Sequence, residues 1–256
     1  MDRSSRERPV KAPPSEQLAL LEVQERDTRL AQLHHRLTTL PQHAELTAAR
    51  ERADRLGREL IAAQTIVSDL EREQAKAEAD VDVVRGRSRK DRELLDSGSI
   101  TDSKQLQSLE SELVSLAKRQ SDLEDVELEV MERLDGAQAA VVHLDGELAA
   151  ARVDVERLSA ELAGLEAEIA AERTAVEAER AQATTGVSAE LLTLYDKIRR
   201  DHSGRGAARL HRGRCDGCRI DLPPTEIAAL RAAAEDEVLR CEECRCILVR
   251  TPESGL

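Results

Sequence analysis

The chain contains no Phe and no Trp, and Tyr195 is its only aromatic side chain. Aromatic rings supply much of the bulk of a globular core. A chain of 256 residues without them is not expected to build a large enzyme-like body around a deep pocket. No apolar run is long enough for a transmembrane helix. The N-terminal stretch MDRSSRERPVKAPPSEQ carries charge but no apolar segment, so it does not read as a secretory signal. The patterns G-x-x-x-x-G-K-S/T, H-E-x-x-H and G-x-S-x-G are also missing. The expectation is a cytoplasmic protein that is not an enzyme, has no small-molecule substrate and no membrane partner.

Charged residues make up 35% of the chain, and Ala, Leu, Glu and Arg dominate. That composition favours long helices. From Leu46 the apolar positions run Ala49, Ala53, Leu56, Leu60, Ala63, Val67, Leu70, Gln74, Ala77, Val81 and Val84. Steps of three and four alternate without a slip, which makes an a/d heptad seam with one polar position. A longer seam begins Leu106, Leu109, Leu113, Leu116, Gln120, Leu123, Glu127 and Val130. It continues through Leu134, Ala137, Val141, Leu144, Leu148, Ala151, Val155, Leu158, Leu162, Leu165 and Ile169.

Between the seams lies LLDSGSITDSKQL. Gly98 offers a left-handed helix stop, and Asp102 with Gln105 has the spacing of a capping box. Two arms of similar length, each roughly 120 Å if fully helical, predict a long antiparallel coiled-coil hairpin. Proline at position 41 removes a helical N–H and predicts a break in the first arm. A parallel homodimeric coil broken near Gly98 remains the alternative, so monomer and homodimer both stand. The expected divisions are a disordered arm over 1–14, the hairpin over 15–185 with its turn near 96–102, a connecting helix over 186–204 and a small C-terminal domain over 205–256.

That last domain carries the chemistry. Cys215, Cys218, Cys241 and Cys244 form C-x₂-C-x₂₂-C-x₂-C. In a non-secreted chain paired C-x-x-C points to metal before disulfides. Four thiolates suit one structural, tetrahedral Zn²⁺ with no open position for catalysis. A domain this small is expected to take its folding energy from the metal. Gly217 is read as permitting the tight turn of the first knuckle. The sequence predicts a strand over AARLHRGRC, a strand and a short helix starting near Pro224 within the intervening segment, a return strand ending at Arg240, and a last strand over CILVR. Cys246 is read as a non-ligand pointing away from the metal. Exchange of Cys244 and Cys246 as ligands is the competing reading, and His211 is placed on the strand surface rather than on the ion. Ser188 is expected to cap the connecting helix.

Charge is distributed unevenly. The net is −13 over the chain, −16 over residues 15–195, and +5 over residues 196–220. The basic stretch holds Lys197, Arg199, Arg200, Arg205, Arg209, Arg212, Arg214 and Arg219. Beside a zinc ribbon it is a candidate phosphate-contacting face for RNA or DNA. A second cluster, Arg85, Arg87, Arg89, Lys90 and Arg92, lies near the predicted hairpin tip. The lack of aromatics argues against base stacking and for binding mainly through phosphates. A protein–protein adaptor that takes a partner along the coiled coil is the other reading.

The stretches LLEVQERDTRLAQLHHRLTTLP, SLAKRQSDLEDVELEVMERLD and CDGCRIDLPPTE…VLRCEECRCILV together resemble the bacterial C4-type zinc-ribbon proteins with an N-terminal coiled-coil hairpin. The resemblance covers nearly all of the chain after residue 14. It implies four-cysteine zinc binding at Cys215, Cys218, Cys241 and Cys244, and binding of nucleic acid or protein in a regulatory role. Some members act in flagellar or type III secretion regulation. Relatives have C-x-x-C-G-R-I-L at the second knuckle, and here Arg245 and Cys246 occupy the Gly-Arg positions.

Overall fold

A computed structural model describes residues 10–256. Its elements are α1 (Pro14–Thr38), α2 (Pro41–Asp96), α3 (Ser103–Thr184), α4 (Ala189–Asp201), β1 (Ala207–His211), β2 (Arg214–Cys215), α5 (Pro224–Ala232), β3 (Leu239–Arg240) and β4 (Ile247–Val249). Proline opens α1, α2 and α5, at the position where its missing N–H would have no helical acceptor anyway. The chain divides into two compact units.

One unit spans residues 44–160 and is an antiparallel helical hairpin. As α2 advances from Leu56 through Glu73 to Arg87, its partners on α3 retreat from Leu148 through Arg133 to Glu112. Within this unit every predicted seam position is buried or half-buried. Leu56, Leu60, Leu148 and Ala151 form one core cluster. The tip follows its sequence signals. Gly98 has φ +64°, and the Asp102 carboxylate accepts the Lys104 N–H at 3.0 Å to open α3. No reciprocal bond from Gln105 is among those described, so the cap is Asp102 alone.

The other unit joins residues up to 43 with residues 161–256. Here α1 runs antiparallel to the end of α3, with Arg26 on Glu179, Arg29 on Glu172 and Leu33 against Ile169. A mixed sheet in the order β2-β1-β4-β3 follows. Its central pair, β1 and β4, is parallel, and the outer pairings are antiparallel. Alternation along β4 gives the sheet two different faces. Ile247 and Val249 join Leu20, Val23, Leu191 and Tyr195 on the helix side. Leu248 joins the cysteines, Leu210, Leu222 and Leu230 on the other. The segment before α5 makes only a bridge between Asp221 and Arg214, not the strand expected there.

The disordered arm predicted for 1–14 needs correction at its inner end. Residues 1–9 lie outside the described residues. Beyond them Ala12 is buried, its N–H donates to the Asp236 carbonyl at 2.8 Å, and Lys11 pairs with Asp236. Ser188 is also used differently from expectation. It occupies the N-cap of α4 without a side-chain cap bond, and its N–H donates to Glu16 on α1.

A buried polar centre fastens these helices. Asp27 on α1 is 2% exposed. Its carboxylate accepts from Arg180 Nε on α3 at 2.7 Å and from the Tyr195 hydroxyl on α4 at 2.7 Å, and lies 3.4 Å from Arg199. Burial, followed by the bond to Asp27, pushes the Tyr195 pKa well above its ordinary value, so the phenol stays a donor. One turn earlier, Gln24 Oε1 accepts the Gly206 N–H at 2.7 Å and the Ala207 N–H at 3.2 Å, tying α1 to the start of β1. A Cβ on Gly206 would lie 2.5 Å from the Tyr195 ring, so only glycine lets the strand pass.

Replacing Asp27 by Ala leaves Arg180, Arg199 and Tyr195 without their shared acceptor. Removing one partner of a buried ion pair costs about 3–5 kcal/mol. Tyr195 is the sole aromatic fluorophore and sits in this unit, so its emission during urea unfolding of the zinc-loaded chain reads the loss directly. A midpoint unchanged in Asp27→Ala would refute the assignment.

Candidate metal centre and basic faces

The two cysteine pairs lie in knuckles with the same backbone. In the first, Cys215 N–H donates to Ile220 O at 3.1 Å and Arg219 N–H to Cys215 O at 2.7 Å. In the second, Cys241 N–H donates to Cys246 O and Arg245 N–H to Cys241 O, both at 3.0 Å. Arg219 and Arg245 occupy equivalent left-handed positions, with φ +63° and +60°. Glycine takes that conformation without strain, which explains the glycine of the resembling C-x-x-C-G pattern.

The sulfurs converge. All four of Cys215, Cys218, Cys241 and Cys244 lie within 4.8 Å of one another. Cys215 and Cys244 are 3.7 Å apart, and Cys218 and Cys241 are 3.9 Å apart. Zinc–sulfur bonds of about 2.3 Å in a tetrahedron place the sulfurs about 3.8 Å apart, so the set fits one zinc ion. Backbone N–H groups of Cys218 and Gly217 face the Cys215 sulfur, and those of Cys244 and Glu243 face Cys241. Such donors stabilise thiolates. The Cys215 pKa is lowered to about 4, first by the hydrogen bond with Cys246 and then by these amides, against the effect of burial. Burial raises those of Cys218 and Cys241.

Cys246 does not point away, as the strand argument expected. It is fully buried, with its sulfur 2.9 Å from that of Cys244 and 3.8 Å from that of Cys215. Cys246 closes the knuckle, in the place Ile220 takes in the first, before β4 begins, so strand alternation does not set its direction. Gly217 also has a different reason from the one expected. Its φ is not positive; a Cβ there would lie 3.0 Å from the Cys246 sulfur and 3.4 Å from that of Cys215. Glycine is required for room rather than for turn geometry. His211 pairs with Glu253 at 3.4 Å and stands apart from the sulfur set.

The basic stretch is only partly brought together. Arg199 is turned inward onto Asp27, which removes it from the candidate phosphate face. Arg205 donates to the Gly217 carbonyl, Arg214 Nε to the Arg219 carbonyl, and Arg200 Nε to the Asp196 carbonyl. Lys197 is exposed on α4. Arg209, Arg212 and Arg219 are exposed, and no described hydrogen bond or ion pair engages their side chains. Arg209 lines a cleft with Glu22 and Glu25 of α1. At the hairpin tip, Arg85 pairs with Asp82 and Glu124, and Arg87 with Asp91 and Glu112. Arg89, Lys90 and Arg92 stay exposed.

The fit predicts one zinc per full-length chain. Cys241→Ser removes a buried ligand, so metal analysis should find it largely zinc-free, whereas Cys246→Ser should keep its ion. A Cys241→Ser chain with wild-type zinc affinity would disprove the ligand set.

Residues 23–203 match the family model of the CT398-like coiled coil hairpin domain, and residues 214–248 that of the C4-type zinc ribbon domain. The uncharacterized protein Rv2229c of Mycobacterium tuberculosis is 39% identical over 241 residues, covering 94% of this chain and 98% of that one. The uncharacterized protein ML1638 of Mycobacterium leprae is 29% identical over 236 residues, 90% and 94% of the two chains. A solved structure from Mycobacterium smegmatis superposes with a TM-score of 0.81 at 31% identity, over 94% of this chain and all of that one. The structure of CT398 from Chlamydia trachomatis shares the fold, with a TM-score of 0.66 at 18% identity over 92% and 98%. Helical hairpin, four-sulfur cluster and both matches agree: the chain belongs to the CT398-like coiled-coil hairpin family and carries a C4-type zinc ribbon with a structural zinc ion.

Proposed function

We propose that this is a non-catalytic binding protein that takes RNA or DNA through phosphate contacts on the zinc ribbon. The observation that carries the reading is the trio Arg209, Arg212 and Arg219. All three are exposed on the ribbon without a described protein partner, while Arg199, Arg205 and Arg214 nearby are engaged. Arg212 and Arg219 are held in left-handed turns at φ +48° and +63°, where a non-glycine residue is disfavoured. Such strained residues concentrate at functional positions. Zinc acts in this reading only by folding the surface that displays the arginines.

A second reading rests on the helical hairpin. Val114, Leu128 and Val142 recur every fourteen residues along α3 and are 73%, 57% and 73% exposed. The spacing is two heptads, so they share one face, which suits an added partner helix.

A salt titration decides between the two. Each phosphate contact releases counterions, so log affinity falls by roughly 0.7 per contact against log salt for single strands. Replacing Arg209, Arg212 and Arg219 with Ala should reduce that slope by about two units and weaken all sequences alike. Arg205 is left in place because it braces the first knuckle. No binding to RNA or duplex DNA at low salt, or an unchanged slope in the variant, would shift the assignment to the adaptor.

A further inference from the structure

The ribbon has five sulfurs for an ion with four corners. We propose that Cys246 is a second, interchangeable zinc ligand for the corner held by Cys244. The Cys246 sulfur lies 3.8 Å from that of Cys215, the edge length of a four-sulfur zinc tetrahedron, about 3.8 Å. It lies only 2.9 Å from that of Cys244. This is shorter than an edge, so the two sulfurs cannot hold separate corners of the same ion. Cys246 stands beside the corner that Cys244 holds, outside the set of four, and one of the two binds at a time.

The exchange is a change of side-chain rotamer in both residues. A step between staggered χ1 wells displaces a sulfur by about 3 Å, close to the separation of the pair. The backbone stays anchored on both sides, by Arg245 N–H on Cys241 O and Cys241 N–H on Cys246 O. The absent Cβ of Gly217 leaves the space that the Cys246 sulfur fills. The two candidates also differ in access. Cys246 is fully buried and Cys244 half-buried. When the outer sulfur is lost to alkylation or substitution, the enclosed one completes the tetrahedron. A thiol that only donated a hydrogen bond to Cys215 would not do this.

Cobalt binding and zinc competition on the full-length chain separate the cases, since cobalt absorption reports how many sulfurs bind. Cys244→Ser and Cys246→Ser should each bind one metal with a four-sulfur cobalt spectrum, within about tenfold of wild-type affinity. The double variant should lose affinity by a hundredfold or more and resemble Cys241→Ser. The proposal fails if Cys244→Ser behaves like Cys241→Ser, which would leave Cys246 as a thiol donor only. It fails equally if Cys246→Ser loses the metal while Cys244→Ser keeps it. A second measurement needs no substitution. Iodoacetamide on the zinc-loaded wild type should label Cys244 with zinc retained; zinc released in step with that label overturns the proposal.

Discussion

In the unit that bears the metal, three elements depend on a single carboxylate. Asp27 is enclosed on α1, and around it stand Arg180 from α3, Tyr195 from α4 and Arg199 one turn further on. A buried charge is tolerated only when it is paired and hydrogen-bonded, and here both oxygens are satisfied. The apolar packing nearby is aliphatic around a single ring: Leu20, Val23, Leu191, Ile198, Ile247 and Val249 cluster with Tyr195. Specific polar geometry therefore does what aromatic packing does elsewhere: it fixes which helices meet and at what register. Gln24, on the same face one turn back, extends the arrangement to the strand by holding Gly206 and Ala207. Gln24 and the packing of Leu20 and Val23 with Ile247 and Val249 together hold the ribbon sheet against α1.

The ribbon has a different dependence. Its apolar cluster includes all five cysteines, three of them buried, packed with Leu210, Leu222, Leu230 and Leu248. Without metal that cluster is a set of thiols in which Cys215 is favoured as a thiolate while burial holds Cys218 and Cys241 neutral. With metal the same atoms become a cross-link between two knuckles that are distant in sequence. Arg250 reinforces the far side, donating to the Ala233, Ala234 and Glu235 carbonyls that follow α5. The metal joins the two knuckles, and a guanidinium joins the end of β4 to the segment after α5.

The hairpin was legible because heptad periodicity is a local signal, and it named the seam residues of α2 and α3 individually. Proline 41, Gly98 and Asp102 marked the ends of helices for equally local reasons. The four-sulfur set followed from spacing. What escaped were pairings across long separations. Asp27 and Arg180 are 153 residues apart, and each looks like an ordinary charged position on a solvated helix. Arg199 was read as part of a basic face because charge counts cannot see direction. The one available hint was Tyr195 itself, since a lone aromatic in such a chain has to be buried somewhere. Cys246 was misplaced by a strand rule applied one residue too early.

The knuckle arginines bring these threads to one point. Arg219 and Arg245 each follow the second cysteine of a pair, and each sits at a left-handed φ that glycine adopts without penalty. Holding a non-glycine residue there costs on the order of 1 kcal/mol. Each of these residues adjoins a ligand cysteine in sequence, and an arginine keeps its charge at any physiological pH. Neither side chain is tied down by a described contact. The left-handed backbone and the exposed positive charge thus come from the same residue choice. In the second knuckle, that choice also sets Cys246 immediately after the turn, inside the sulfur cluster.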